Sequence, residues 1–219
     1  MSVSAHHWLH ERWQSMFTAL GVEPAAAAPA FADLAARYAH PDRHYHNLTH
    51  LRHVLETLDR LKQLAQNLPA VLLAAWFHDA VYDARAMDNE EQSALLAQVV
   101  LERLRVPKSL SERVAALILL TKSHSAAPDD IDAQLLLDAD LAILGAGEAE
   151  YRQYADAIRR EYAWVAEMDY RAGRAAVLKR FEERPAIFNC PPMRDQFERS
   201  ARRNLQTERL ALESEIREE

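Results

Sequence analysis

The chain is predicted to be all-α, a single helical bundle, and three features of its 219 residues carry that expectation. Apolar residues recur at three- and four-residue spacing along nearly the whole length, the period of a helix face. No stretch alternates apolar and polar residues as a half-buried strand does. There is neither an internal repeat nor a long Ser/Gly linker to divide the chain.

Taken in order, Trp8, Trp13, Phe17 and Leu20 lie along one face of a first helix that stops at Gly21. Pro29 falls in the first turn of a second, which carries Phe31, Leu34 and Tyr38, because proline is tolerated where a helix begins. Pro41 and Asp42 break it. A third helix covers residues 45–66, with Leu51, Val54, Leu55, Leu58 and Leu61 as its apolar stripe. Pro69 opens a fourth, reaching about residue 82; it is apolar almost all round and is expected at the centre of the fold. Asp88 or Asn89 caps a fifth, with Glu90 and Glu91 in its first turn, where the helix dipole favours acids. Pro107 and Ser111 introduce a sixth that ends near Lys122. After a short loop, a seventh spans residues 131–144 and stops at the turn of Gly145 and Gly147. Two more cover residues 148–166 and 169–183. Pro185 and Cys190-Pro191-Pro192 form a loop, and residues 193–219 are charged and helical in pattern. The whole reads as one domain, with its motifs in residues 38–144 and the helices of residues 148–219 packed on them. The charged end is expected to fray or to pack on another chain, so a homodimer is one expectation.

Composition narrows the function. A 49 % hydrophobic and 27 % charged chain belongs with ordinary globular proteins. One cysteine, Cys190, allows no intramolecular disulfide and fits a reducing compartment. Nothing near it in sequence would lower its pKa, so a nucleophile role is not expected. Residues 1–21 lack the apolar core and cleavage site of a secretory signal. No apolar run reaches the roughly 18 residues a membrane span needs. A cytoplasmic protein with no membrane partner is therefore expected. The net charge of −7 repels a phosphate backbone, which argues against general nucleic-acid binding. A small anionic substrate stays open, since a bound metal inverts the local charge. The four glycines, Gly21, Gly145, Gly147 and Gly173, cannot make a G-x-G-x-x-G or P-loop pattern. Any phosphate chemistry must rest on a metal and on side chains.

Three segments carry such side chains. His44, His46, His50 and His53 lie within ten residues. His46 and His50 are four apart and would share a helix face, where a pair of imidazoles can grip a metal or a substrate; clustered surface histidines are the plainer reading. His78-Asp79 ends the most apolar helix, after Ala74-Ala75-Trp76-Phe77. Two ionisable neighbours in apolar surroundings cost several kcal/mol unless they are paired or bound to a metal. Together they offer one nitrogen and one oxygen, a set suited to a divalent ion. Asp138-Ala139-Asp140 follows another apolar run. Its acids point about 200° apart on a helix, so only one can face a metal; the other is expected to be solvated or to cap an N–H.

The order His50 … His78-Asp79 … Asp140 resembles the H … HD … D signature of the HD superfamily of phosphohydrolases. The strings Tyr45-His46-Asn47-Leu48-Thr49-His50, Trp76-Phe77-His78-Asp79-Ala80-Val81-Tyr82-Asp83, Asp88-Asn89-Glu90-Glu91-Gln92-Ser93-Ala94 and Asp138-Ala139-Asp140-Leu141 look like one bacterial branch, described only as predicted metal-dependent HD phosphohydrolases. The likeness covers residues 38–144, and more weakly Arg184-Pro185-Ala186-Ile187-Phe188 and Ala201-Arg202-Arg203-Asn204-Leu205. It implies an all-helical fold around a metal held by His50, His78, Asp79 and Asp140. It also implies hydrolysis of a phosphoester in a nucleotide or related small molecule.

In many relatives an acid shortly after the HD pair handles the proton of the attacking water. The string HD-x-x-E-D of guanosine tetraphosphate hydrolases is similar, but Tyr82 stands at the first acid and only Asp83 matches the second. Asp83, Glu90 and Glu91 are thus the candidate acid–base residues, with first-turn helix charge as the plainer reading of the two glutamates. Arg43, His46, Lys122 and His124 are the candidate substrate contacts. Arg grips phosphate in a fork and Lys acts as a point charge; for Lys122 simple solvated charge is the plainer reading, and His124 also suits a helix C-terminus. Two N and two O ligands admit Mn, Fe, Co, Ni or Zn, with Mg as an option at a second site. Two other functions stay in view. A di-iron oxygenase would draw His46 and His124 in as additional ligands. A non-catalytic module would bind metal or nucleotide without turnover.

Overall fold

The computed structural model describes the backbone of residues 5–218 and the side chains of residues 5–214. The start of the N-terminal stretch read as lacking a secretory signal, and the end of the charged C-terminal segment, lie outside the described residues. The all-α expectation holds: no strand occurs among the described residues, and no helix there is long and apolar enough to cross a membrane. The helices are α1 (Ala5–Ala19), α2 (Pro24–Tyr38), α3 (Leu48–Leu61), α4 (Leu68–Phe77), α5 (Asn89–Arg103), α6 (Lys108–Leu120), α7 (Ile131–Asp140), α8 (Glu148–Glu161), α9 (Glu167–Glu182), the short α10 (Pro191–Met193) and α11 (Arg199–Glu218). They pack as two compact units, Met1–Ala139 and Asp140–Glu219, with the boundary at the last residue of α7.

In the first unit, α4 lies in the core, as its uniformly apolar sequence requires; Ala70, Val71, Leu73, Ala74, Ala75, Trp76 and Phe77 are all buried. Trp13 of α1 meets the Trp76 ring edge-on at 5.2 Å, and its indole N–H donates to the Ala27 carbonyl of α2 at 3.0 Å. α2 begins earlier than expected. Pro24 takes the first helical position and Pro29 sits inside the helix; the four alanines between them are the strongest helix formers and carry the backbone up to the second proline.

Helix ends depart from the sequence reading wherever a distant partner competes for the backbone. α3 starts at Leu48 because the Asn47 side chain accepts from the Thr49 N–H at 2.8 Å and caps it there. It stops at Leu61, ahead of residues 66 and 67, whose N–H groups bond to the Asp132 carboxylate. α4 stops at Phe77, not near residue 82. α7 ends at Asp140 and continues as a 3₁₀ segment, Leu141–Gly145.

Two helices in this unit end alike with different residues. Gly21 follows α1 at φ +75°, and Arg105 follows α5 at φ +56°. At both ends the next residue's N–H reaches back five residues, Val22 to Phe17 and Val106 to Leu101, each at 2.9 Å. This cap requires the left-handed region, where glycine is relaxed and a Cβ is strained. Arg105 is exposed. Arg105→Gly is therefore expected to raise stability by about 0.5–1 kcal/mol, read as a higher denaturant midpoint at unchanged slope; an unchanged or lower midpoint would contradict the strain.

In the second unit, α11 packs on α9 through ion pairs of Arg174 with Glu208 and of Arg209 with Glu182. Asn204 of α11 donates to the Leu144 and Ala146 carbonyls at 2.9 Å each. Between those carbonyls, a Cβ on Gly145 would meet Phe197 at 2.5 Å, so the close approach admits glycine alone. A π-helical turn, Arg194–Glu198, precedes α11, and the Glu198 carboxylate receives the Ile187 and Phe188 N–H groups.

Candidate metal centre

Two helix ends meet in the first unit. The Asn47 cap places His50 in the first turn of α3, 4 % exposed, and α4 carries His78 at its C-cap, 1 % exposed. Their Nε2 atoms are 3.2 Å apart. Oδ2 of Asp79 lies 3.1 Å from His78 Nε2 and 3.5 Å from His50 Nε2. Asp140, the last residue of α7, offers a carboxylate oxygen that forms with His50 and His78 a set of atoms all within 4.8 Å; among the described residues it is the one such metal-ligating group. Ligands at about 2.0–2.2 Å from an ion are separated by roughly 3.0–3.5 Å in octahedral or tetrahedral geometry. The spacings among His50, His78 and Asp79 match.

The protonation pattern suits a cation as well. Nδ1 of His78 lies 2.9 Å from the Ala75 carbonyl. A carbonyl only accepts, so Nδ1 carries the hydrogen and the neutral ring turns its Nε2 lone pair toward His50 and Asp79. Metal-binding histidines are oriented in this manner. Burial alone would raise the Asp79 pKa. With the imidazoles protonated and no cation present, the charges of His78 and His46 and hydrogen bonds from His50 and His78 outweigh burial and hold the carboxyl well below the usual carboxylate range. Acceptor atoms this close repel one another unless a cation or a proton lies among them. The grouped donors of His50, His78 and Asp140 could thus hold a metal ion; Asp79 lies within 3.5 Å of both imidazoles but outside that group.

The other sequence candidates are placed as follows. Arg43 is buried, and its guanidinium donates to the carbonyls of Asp79 at 2.6 Å, Ala80 at 3.1 Å and His46 at 3.3 Å. Its described donors thus hold the end of α4 in place, whereas the sequence reading made it a phosphate contact. His46 lies before the Asn47 cap, so it does not share a helix face with His50 as expected. It approaches from the turn instead, 5.8 Å from the His50 ring, and stacks on Tyr82 at 4.2 Å and 29°.

Lys122 is exposed and donates to Glu91 at 2.5 Å and to the Met87 carbonyl at 2.7 Å. The hydrogen bond from Lys122 is the main reason the Glu91 carboxyl lies below its ordinary range. Exposed Asp83 accepts the Arg85 N–H at 2.9 Å, and Glu90 is half-buried in the first turn of α5. His124 closes the turn that follows α6, at φ +47°, its N–H on the Leu120 carbonyl at 2.9 Å. Neither His46 nor His124 belongs to the metal-ligating group. Asp138, expected to be solvated or capping, is fully buried.

Sequence reasoning missed how the loop after Asp79 is held. The Ser93 hydroxyl accepts the Val81 N–H at 3.0 Å and donates to the Val81 carbonyl at 3.2 Å. Four residues earlier on α5, Asn89 accepts the Asp83 N–H at 3.0 Å and donates to the Asp83 carbonyl at 2.9 Å. Both backbone polar groups of each residue flanking Tyr82, Val81 and Asp83, are thus clasped by one helix face. The available signal was Ser93 itself, a polar residue on a face otherwise formed by Ala94, Ala97, Val100 and Leu101.

Comparison of the chain with protein families, with curated proteins and with solved structures finds no significant match.

Proposed function

We propose that the chain is a metal-dependent phosphohydrolase of the HD type, acting on a phosphoester of a nucleotide or related small molecule. The observation that carries the reading is the grouping of buried His50 and His78 with half-buried Asp140, with Asp79 3.1 Å from the second of them. Those are the four residues that the resemblance names. A divalent ion held there supplies a bound water of lowered pKa and polarises a phosphoryl oxygen.

The chain's own residues do the rest. The bond from His78 Nδ1 to the Ala75 carbonyl keeps the imidazole aimed at the centre. Arg43 fixes the peptides of Asp79 and Ala80 and so the direction of the Asp79 carboxylate. The three aromatic rings of Tyr45, His46 and Tyr82, in contact around His50, are suited to stacking on a planar base. Of the nominated acids, Glu91 is bound to Lys122, whose hydrogen bond lowers its pKa, and Asp83 accepts the Arg85 amide. Glu90 is the acid of that turn that we assign to accept the proton of the attacking water.

The test is phosphate release from nucleoside mono-, di- and triphosphates by protein stripped of metal and reloaded singly with Mn, Fe(II), Co, Ni or Zn. Turnover should require the metal, and Glu90→Gln should lower kcat about 100-fold with metal affinity kept. One bound equivalent of metal without release from any substrate would sink the hydrolase reading and leave a binding module. Two bound irons with a visible absorption band would replace it with an oxidative one.

A further inference from the structure

Tyr82 stands between two residues whose backbone groups α5 clasps, Val81 and Asp83. Its ring stacks on His46 at 4.2 Å and 29°, and the Arg43 guanidinium packs over it at 5.6 Å and over Tyr38 at 5.1 Å. The same guanidinium bonds to the carbonyls of His46 and Asp79. These contacts join two chain segments. One is the turn of residues 43–46, which enters α3 and sets His50. The other is the end of α4, which carries His78 and Asp79. A centre whose ligands come from separate helices holds its ion only as well as the spacing between them is kept.

The geometry points to Tyr82 as the positioning residue of the metal centre: its ring holds His46 and Arg43 in register and thereby sets the distance between His50 and the His78-Asp79 pair. The inference rests on the metal reading above. For this role the ring serves as a packing surface, which Tyr82→Phe keeps.

The experiment is a Co(II) titration of metal-stripped protein, followed by visible absorption, on the wild type, Tyr82→Phe and Tyr82→Leu, with a melting curve of each protein without metal. Tyr82→Phe should stay within about twofold of wild-type affinity. Tyr82→Leu should bind about 10- to 100-fold more weakly, with a shifted Co(II) band and a melting temperature close to wild type. Wild-type affinity and spectrum in Tyr82→Leu would overturn the inference while leaving the metal centre standing. A large loss of melting temperature in metal-free Tyr82→Leu would also overturn it, by making the ring a general packing element. A wild type that takes up no Co(II) would overturn both readings.

Discussion

Replacing His78 with alanine is expected to abolish all stabilisation of the chain by divalent metal. An ion bound only by the folded state, at 100 times its Kd, adds about 2.7 kcal/mol. For a protein of this size that is an upward shift of roughly 5–10 °C in melting temperature. His78 is 1 % exposed, and its Nε2 lies 3.2 Å from His50 Nε2 and 3.1 Å from Asp79 Oδ2. Removing it therefore deletes the shared vertex of the donor set. The substitution also removes the hydrogen bond to the Ala75 carbonyl and leaves a cavity, so the metal-free variant should itself melt lower. The quantity to compare is thus the shift on adding Mn or Co to each protein, by calorimetry. Asp79→Asn, which keeps the volume, should shrink the shift without that baseline loss. An equal shift in wild type and His78→Ala would mean the ion binds elsewhere, and the centre described above would be wrong.

The second large effect is expected in the second unit. Arg174 is 9 % exposed and Glu208 13 %, and the guanidinium grips the carboxylate in a fork, at 2.8 Å and 3.1 Å. The Tyr151 hydroxyl donates to Glu208 at 2.5 Å, and Arg174 donates to the Tyr154 hydroxyl at 3.3 Å. Burial, the largest cause, pushes the nearby Tyr170 phenol up to about 12, so the surroundings disfavour charge that lacks a partner. Arg174→Leu leaves Glu208 buried with no cation and is expected to cost about 3–5 kcal/mol. Leucine at both positions removes both desolvation costs and should return to within about 1 kcal/mol of wild type. Denaturant melts followed by circular dichroism give the energies. Hydrogen exchange should show the loss in α8, α9 and α11. A loss under 1 kcal/mol in the single variant would mean that solvent already reaches the pair.

These two sites were legible in the sequence to different degrees. The candidate metal ligands stood out because His78-Asp79 and Asp140 each end a run of apolar residues, where an ionisable group needs a reason to be present. The pair of Arg174 and Glu208 left no such mark. Each sits on a charged amphipathic helix among other charges, and nothing local distinguishes the buried pair from solvated ones. The basic residues nominated as phosphate contacts show the same limit. Arg43 and Lys122 have the right charge for phosphate, yet the structure commits Arg43 to backbone carbonyls and Lys122 to Glu91.

By itself, then, the sequence determined that the chain is helical, which faces turn inward, and which side chains are candidate metal donors. Each of these follows from periodicity or side-chain chemistry and needs only residues a turn or two apart. Only the tertiary structure decided where the helices stop. α4 ends at Phe77 because Arg43, 36 positions away, takes the Asp79 carbonyl and Asn89 takes the Asp83 N–H. α3 ends before residues whose N–H groups belong to Asp132, 66 positions from Gln66. A backbone group bonds to the best partner within reach, and whether that partner lies four residues away or sixty is settled only when the chain has folded.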